Sequence, residues 1–339
     1  MNDRRNAGTV QGETTTMTAT RIALAAAAFA AMQAAPAVAQ EWPSARPIHM
    51  MVGFGAGGGT DVATRIVAEP LGEVLGQRIV VENKPGAGGT IAGDIVAKGT
   101  KDGYNALMIS TGHTVSSAMI KSQAYDAVKD FAPVGIIANS AIAVVVAKDF
   151  PATDLQGLIE AIKKEPGKYN YATIGVGSTQ HLTAELFRQR AGLQAQAVSF
   201  RTTGEVVTAL LRKDVAFAVD LAHAVKGQVA SGELRLLALA TGKRFPPMPN
   251  VPTMAESGIP GFEVNGWYGM VYPVGVPKEI VDKTHQALTV VLSRDSVRKQ
   301  LENIGAEAAL SSPQEFGKLI AEEVVRWRDV ANTAGLQPQ

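Results

Sequence analysis

The sequence contains no cysteine, few aromatic residues and almost no net charge. Without cysteine the chain can form no disulfide, thiolate nucleophile or Cys-ligated metal centre, and no redox function is expected. Its 32 Lys and Arg residues nearly balance its 31 Asp and Glu residues, so it has no broad positive field for nucleic acid or an anionic membrane. We therefore expect that a local site selects whatever the protein binds.

The chain does have length, apolar residues and glycine. Its 339 residues are 46% hydrophobic and 19% charged, the composition of a globular protein with roughly two domains. Glycine occupies 34 positions. Many of these glycines follow apolar runs, where a tight turn or a backbone contact with a ligand needs them.

The first 39 residues have the pattern of an export signal. Arg21 precedes the apolar run 22–32, and Ala37-Val38-Ala39 supplies the small side chains that precede a cleavage site. The apolar run is well short of the roughly 20 residues that a membrane-spanning helix needs. We expect cleavage after Ala39, translation from Met17 rather than Met1, and localisation in the periplasm of a Gram-negative cell.

Strand-like and helical patterns alternate along the rest of the chain, which predicts an α/β protein with parallel strands covered by helices. The predicted strands are 47–52, 79–81, 106–110, 132–137, 141–147, 169–173, 195–200, 216–219, 234–240 and 264–272. The predicted helices are 61–75, 91–98, 155–164, 179–189, 205–211, 278–292, 295–304 and 312–333. Pro277 is predicted in a first helical turn, and Ser312 is predicted as an N-cap that precedes Pro313.

Two apolar runs, 141–147 and 262–271, lie where the repeating pattern shifts, and we interpret them as strands that cross between two domains. The first predicted domain comprises residues 41–140 and 272–339, and the second comprises residues 141–271. Ligand sites favour domain interfaces and the ends of parallel strands. The sequence therefore predicts a binding cleft between the two domains.

The strongest local feature is the glycine-rich stretch from Gly53 to Asp61, between a predicted strand and a predicted helix. Its backbone N–H groups and the positive end of the helix suit an anion. Asp61 is interpreted either as the N-cap of that helix or as a residue that orients a ligand-bridging water. A second loop, 85–90, is either a tight turn or a ligand contact. Further loops with small or hydroxyl residues follow strands at 110–114, 175–179 and 200–204.

Catalytic motifs are not found in the sequence. It has no G-x-S-x-G elbow, H-E-x-x-H pair or phosphate loop, and its five histidines are far apart, so we predict no catalytic residue, metal or cofactor. His113 and His181 either bind ligand or pack, and Trp267 and Tyr268 either form the wall of the cleft or belong to the core. One alternative is an exported dinucleotide-dependent enzyme, since Gly53-x-Gly55-x-x-Gly58 is followed by the acidic Glu82.

The sequence resembles the periplasmic substrate-binding proteins of tripartite tricarboxylate transporters, the Bug family, over nearly all of the chain after residue 39. The residues that carry the resemblance are Phe54-x-x-Gly57-Gly58-x-x-Asp61-x-x-x-Arg65, Val81-Glu82-Asn83-Lys84-Pro85-Gly86-Ala87-Gly88-Gly89-Thr90-Ile91, Asp102-Gly103-Tyr104, Thr179-Gln180-His181-Leu182, Glu185-Leu186-Phe187, Val251-Pro252-Thr253, Pro260-Gly261-Phe262 and Trp267-Tyr268-Gly269.

This resemblance implies a two-domain periplasmic-binding-protein (Venus flytrap) fold, with two mostly parallel sheets flanked by helices and a ligand cleft between the domains. It implies a monomeric, non-catalytic receptor that holds a small carboxylate and delivers it to the membrane permease subunits. The carboxylate would be a dicarboxylate, a tricarboxylate, an aromatic carboxylate or an acidic amino acid. The ligand-binding residues expected from the resemblance and from the loops are Phe54, Ala56, Gly57, Gly58, Asp61, Thr111, Ser140, Ser178, Thr179, His181, Phe200, Thr203, Asp220 and Tyr268.

One segment departs from the family pattern. Where the family commonly has Pro-Tyr-Lys-Gly, this chain has Ser199-Phe200-Arg201-Thr202. Arg201 would either meet a second carboxylate of the ligand with paired hydrogen bonds or lie on the surface. A further alternative function is that of a ligand-sensing subunit of a membrane signalling system, because no sequence signature identifies the partner surface.

Overall fold

The fold is described from a computed structural model of the chain, which covers residues 41–338. The predicted export signal and its cleavage site lie outside these residues. The strands are β1 (Ile48–Val52), β2 (Ile79–Asn83), β3 (Asn105–Ser110), β4 (Phe131–Ala147), β5 (Asn170–Ile174), β6 (Gln196–Phe200), β7 (Phe217–Leu221), β8 (Leu234–Leu239), β9 (Asn265–Pro273) and β10 (Ala306–Ala308).

The helices cover both faces of the sheet that these strands form. They are α1 (Gly59–Leu75), α2 (Thr90–Ala97), α3 (Gly112–Met119), α4 (Leu155–Lys164), α5 (Thr179–Ala191), α6 (Thr203–Arg212), α7 (Lys226–Ala230), α8 (Lys278–Ser293), α9 (Asp295–Asn303) and α10 (Pro313–Thr333). Two short 3-10 helices, Ala87–Gly89 and Ala222–Val225, lie between them.

Helix starts follow the local sequence closely. The Asp154 side chain accepts a hydrogen bond from the Gly157 N–H at the start of α4. Ser312 and Glu315 form a capping box ahead of α10, with Pro313 as its first residue, which confirms the predicted N-cap. Pro277 is itself the N-cap of α8 rather than a residue of its first turn, because its extended ψ of 136° is not helical.

The strands form one path in the order β2-β1-β3-β9-β4-β7-β5-β6, and β8 and β10 pair with β4. The α/β class is confirmed, but the sheet is mixed rather than mostly parallel. Strands joined by helical crossovers are parallel, as in β1 with β2 and β3 and in β5 with β6 and β7. β9 follows β8 through a long segment without a helix, and both β4 and β9 pair antiparallel with their neighbours.

β4 corrects a second prediction. The two strands predicted at 132–137 and 141–147 are one strand of 17 residues. Its first part pairs with β9 and β10, and its last residues pair with β7 and β8. We call β1–β3, β9, β10 and the first part of β4 the first half of the sheet, and the remainder the second half. β4 therefore joins the two halves without a break.

Each half of the sheet has a buried apolar cluster on both of its faces. α10 belongs to both halves: Phe316 and Ile320 pack in a cluster of the first half, and Trp327 and Val330 pack in a cluster of the second half. From Trp42 onward the described chain forms a single compact unit. The boundaries of the two predicted domains stay a prediction.

None of the helices among the described residues has the length and apolar character that crossing a membrane requires. The run 141–147, which is predicted as a strand, is buried along its whole length within β4.

Candidate functional site

A cavity of about 420 Å³ lies where the two halves of the sheet meet, at the ends of several strands. It is formed by the glycine loop after β1, the loops after β2, β3 and β5, and the part of β4 and β9 where the chain crosses between the halves. Its lining residues are Phe54, Gly58, Gly59, Thr60, Gly88, Ser110, Thr111, Gly112, Val115, Ser116, Ser140, Ile142, Val176, Gly177, Ser178, Thr179, Gln180, Leu221, Gly266, Trp267 and Tyr268.

The electrostatic character of the cavity comes from dipoles. Among the described residues that line it, none has a charged side chain. The first residues of α1, α3 and α5 all lie in the lining, so three helix N-termini converge on one space. Each N-terminus carries unpaired N–H groups and about half a positive charge. The cavity is therefore suited to a small anion.

Capping differs among the three helices. In the part of the chain that the structure describes, no side chain caps α1, which begins after Gly58, or α3, which begins after Thr111. At α5 the Ser178 hydroxyl accepts a hydrogen bond from the His181 N–H at 3.1 Å. The first N–H groups of α1 and α3 thus have no side-chain acceptor, and a bound anion could take that place.

Asp61 stabilises the glycine loop through hydrogen bonds. It is the third residue of α1 and not its N-cap, which is Gly58, so the N-cap interpretation is wrong. Its carboxylate accepts hydrogen bonds from the Gly57 N–H at 2.9 Å, from Arg65 Nε at 3.0 Å and from Asn83 Nδ2 at 2.8 Å. The side chain is 2% exposed and does not line the cavity.

The pKa of Asp61 follows from these contacts. Burial raises it, but the hydrogen bonds from Arg65, Gly57 and Asn83 together lower it by more, and the resulting pKa lies below the ordinary value. The carboxylate is therefore ionised at neutral pH, and it ties the loop to α1 and to the end of β2.

Tyr268 and Ser140 are the polar side chains at the crossing strands. Tyr268 is 5% exposed, and its hydroxyl lies against Gly59, where a Cβ would be 2.5 Å from the oxygen. Burial raises the pKa of Tyr268, and its hydrogen bond with Ser140 lowers that pKa by less. The phenol keeps its proton at physiological pH and remains a donor beside the start of α1.

Thr111 has its hydroxyl in a defined orientation. The backbone N–H of Trp267 donates to Thr111 Oγ1 at 3.0 Å. Because the oxygen already accepts this bond, the hydroxyl hydrogen of Thr111 is free to donate to a ligand. Thr111 is 3% exposed and lies in the cavity lining beside Gly112.

The structure places seven of the predicted ligand-binding residues in the lining: Phe54, Gly58, Thr111, Ser140, Ser178, Thr179 and Tyr268. The other predicted residues lie outside the lining. Ala56 and Gly57 are exposed residues of the glycine loop, and Phe200 packs against a core cluster of the second half. Arg201 is exposed and also lies outside the lining.

Asp220 and Thr203 bind each other next to the cavity. The Thr203 hydroxyl donates to Asp220 Oδ2 at 2.9 Å, and the N–H of Leu221 donates to Oδ1 at 2.7 Å. Burial raises the pKa of Asp220 above its ordinary value, although these hydrogen bonds and one from Gln180 oppose the rise. The group reaches the lining only through Gln180 and Leu221.

Both candidate histidines are buried outside the lining. His113 stacks on Tyr125, its Nε2 lies 3.1 Å from the Ala127 carbonyl oxygen, and burial lowers its pKa to about 4. His181 Nδ1 accepts a hydrogen bond from the Gly177 N–H at 3.0 Å, and burial lowers its pKa too. His113 is thus a packed side chain, and His181 shapes a loop of the cavity.

Glu82 was the acidic residue of the dinucleotide alternative. It lies 2.5 Å from His49 Nδ1 and 3.6 Å from Lys84 Nζ, and it does not reach the cavity. Within residues 41–338 no cluster of three or more His, Asp or Glu side chains is placed to hold a metal ion.

Several residues of the lining are not among the predicted ligand-binding residues. Gly59, Thr60 and Gly112 lie within the predicted loops 53–61 and 110–114, but they are not among the individual ligand-binding residues that were predicted. Ser116 was missed because the start of α3 was interpreted as a loop; its hydroxyl donates to the Gly88 carbonyl at 3.1 Å. Gly266 lies opposite Ser140 in the β4–β9 pairing, a relationship that only the register shows.

The family model described as "Tripartite tricarboxylate transporter family receptor" (TctC) matches residues 63–336. The chain belongs to this family. The receptor is 34% identical over 304 residues to the protein BugT of Bordetella pertussis, covering 89% of this chain and 93% of BugT.

Two solved structures of similar proteins contain a carboxylate. The R. palustris protein Rpa4515 with adipate is 35% identical, with a TM-score of 0.76, and the match covers 88% of the receptor and 100% of that chain. MatC from Rhodopseudomonas palustris with bound malate is 30% identical, with a TM-score of 0.71, and the match covers 85% of the receptor and 99% of that chain. Both have the same periplasmic-binding-protein-like fold.

Proposed function

We propose that the receptor binds a small carboxylate in the 420 Å³ cavity and delivers it to the membrane permease subunits of a tripartite tricarboxylate transporter. The observation that carries this proposal is the convergence of three helix N-termini on one cavity. Among residues 41–338, no charged side chain lines that cavity, and no side chain caps two of the three helices. Adipate and malate in the two similar proteins support the same ligand class.

The donors and the volume of the cavity suit a small carboxylate. Backbone N–H groups and helix dipoles stabilise charge without a counter-ion, as in known anion sites. The volume is within the ordinary range for a small-molecule site of about 300–1,000 Å³. Phe54, Val115, Ile142 and Trp267 add apolar walls for the carbon skeleton of the ligand.

We also propose that the receptor is exported by its first 39 residues, works in the periplasm as a monomer, and carries out no catalysis. Family membership supports the periplasmic setting and the transport role. The proposed ligand-binding residues are those of the predicted set that line the cavity, with Asp61, His181, Thr203 and Asp220 as supports of its loops.

Thermal shift and calorimetry with a panel of carboxylates test the proposal. The panel contains adipate, malate, a tricarboxylate, benzoate and glutamate, with the diamide of adipic acid as an uncharged control. A ligand that binds only the folded state raises the melting temperature, so at least one carboxylate is expected to raise it. A shift with NAD and with no carboxylate would favour the dinucleotide alternative and refute ours.

A matched pair of variants places the binding event in the cavity. Thr111→Val removes a hydroxyl of the lining, and Thr208→Val removes an exposed hydroxyl that bonds only within α6, to the Gly204 carbonyl at 2.9 Å. We expect the first to weaken binding of the panel carboxylate about tenfold and the second to leave it unchanged. Equal effects would mean that the carboxylate binds elsewhere.

A further inference from the structure

Glu323 is a buried carboxylate behind the cavity. It lies on α10, is 2% exposed, and does not belong to the lining. Its Oε2 accepts hydrogen bonds from the Thr114 hydroxyl at 2.8 Å and from the Trp267 indole N–H at 3.1 Å. Its Oε1 accepts one from the Arg326 guanidinium at 2.9 Å. One side chain thus connects α10 with α3 and β9.

Both partners of Oε2 belong to the wall of the cavity or support it. Trp267 lines the cavity, and its backbone N–H donates to Thr111, another lining residue. The Thr114 hydroxyl also lies 2.8 Å from the Thr111 carbonyl oxygen. The single hydroxyl hydrogen of Thr114 serves one of these two acceptors at a time. Glu323, Thr114, Thr111 and Trp267 are therefore linked by polar contacts around the start of α3.

α10 holds the Trp267 ring at a second point. The ring of Phe316 meets it edge-on, with centroids 5.2 Å apart and an interplanar angle of 86°. Phe316 and Glu323 are seven residues apart, two turns of one helix, so they share a face. The T-shaped contact with Phe316 and the hydrogen bond at the indole nitrogen together fix both the position and the rotation of the Trp267 ring.

The position of Glu323 along α10 is also distinctive. Phe316 and Ile320, before it, pack in the first half, whereas Trp327 and Val330, after it, pack in the second half. The cavity lies between the same two halves. The carboxylate is therefore anchored at the point where this helix passes from one half to the other.

Burying a carboxylate is costly unless it is well paired, and an apolar side chain often serves stability equally well at such a position. Burial raises the pKa of Glu323, and Arg326, Thr114 and Trp267 lower it by less. We propose that Glu323 is a positioning residue of the ligand site, which fixes the Trp267 ring and the first turn of α3 and so sets carboxylate affinity without touching the ligand. This inference rests on the proposed function for the identity of that ligand.

Two substitutions and a matched neighbour test the inference. Glu323→Leu removes every acceptor, and Glu323→Gln keeps the shape and one acceptor oxygen. Glu322→Leu alters the adjacent exposed residue, which forms an ion pair with Lys318 at 3.7 Å. Calorimetry with the tightest-binding carboxylate of the panel, at a temperature where all variants are folded, is expected to show about tenfold weaker binding for Glu323→Leu. Glu323→Gln should restore most of the affinity, and Glu322→Leu should leave it unchanged.

An NMR measurement tests the positioning role of Glu323 without a ligand. In ¹H–¹⁵N spectra the Trp267 indole resonance and the Gly112 amide resonance should move in Glu323→Leu and stay in place in Glu322→Leu. If no panel carboxylate binds the wild type, the proposed function fails, and these resonances alone support or overturn the positioning role.

Unmoved resonances together with wild-type affinity in Glu323→Leu would overturn the inference. So would a loss of affinity in Glu323→Leu that Glu322→Leu shows equally, because that pattern belongs to a general effect of substitution on α10. If Glu323→Leu does not fold, Thr114→Val breaks the same bond from the other side. It should weaken binding and move the Gly112 resonance, and wild-type behaviour would refute the role of Glu323.

Discussion

Gly53 and Gly89 lie in direct backbone contact, so that a methyl group on Gly53 would be 2.6 Å from the Gly89 Cα and 2.8 Å from its carbonyl oxygen. This contact joins the loops after β1 and β2. Phe54 and Gly88, the neighbours of the two glycines, both line the cavity. The close approach therefore determines how one side of the cavity is assembled.

Gly53→Ala is expected to force the two loops apart, because the atoms that it meets are backbone and cannot rotate away. We expect a loss of about 1–3 kcal/mol in the free energy of unfolding, together with weaker carboxylate binding. Gly55→Ala is the control, since apart from its chain neighbours no described residue has an atom within 4 Å of the added methyl group. Urea denaturation of both variants checks this, and equal losses would contradict it.

Tyr268→Phe removes the hydroxyl beside the start of α1. We expect carboxylate affinity to fall about fivefold to tenfold, because one donor of the cavity is lost. Tyr272→Phe is a matched control on the same strand, with a buried hydroxyl 3.1 Å from Thr284 and no place in the lining. Calorimetry should show unchanged affinity for this control, whereas its stability falls by about 1 kcal/mol.

Asp61→Asn removes the negative charge of the carboxylate that accepts hydrogen bonds from Gly57, Arg65 and Asn83. The folded-state pKa of Asp61 is lowered from 3.8, so the stability that it supplies is present above that pH and is lost as the pH falls through the folded-state value. We expect a loss of about 2 kcal/mol at pH 7 that shrinks below about pH 4. Urea denaturation across this pH range would contradict the account if the loss were constant.

The buried, neutral imidazole of His113 is expected to make the free energy of unfolding smaller as the pH falls. Its pKa falls from 6.5 to about 4 in the folded state, so below pH 6.5 the unfolded chain binds a proton that the folded chain does not. The wild type should lose up to roughly 3 kcal/mol between pH 7 and pH 4. In His113→Gln this part of the slope should be absent, and the difference between the two proteins should change only in that interval.

Much of the architecture could be predicted from local pattern. The run 155–164 is helical over the predicted bounds, and α10 begins with the predicted Ser312 cap, because amphipathic spacing and capping residues act within a few positions of the chain. The mixed sheet could not be predicted in the same way. The direction of β4 depends on partners far along the chain, in β7 and β9.

Half of the predicted ligand-binding residues line the cavity. The other half do not, because local sequence does not specify how the loops pack. A glycine loop between a strand and a helix is typical of an anion site, so Phe54, Gly58 and Ser178 could be predicted from local sequence. Asp61 shares the same motif but faces the other way, because Arg65 and Asn83 hold its carboxylate. A motif specifies which residues are near a site, but only packing decides which of them face it.

The sequence by itself determined the α/β class, the glycine loops, the family and, through the absence of cysteine and of net charge, the kind of partner to expect. Only the tertiary structure decided that three helix N-termini share one cavity, and that Glu323, some 200 residues along the chain from Thr114, supports its wall. Composition and periodicity act over a few residues, whereas a cavity is formed by hydrogen bonds and packing between segments that are distant in the chain.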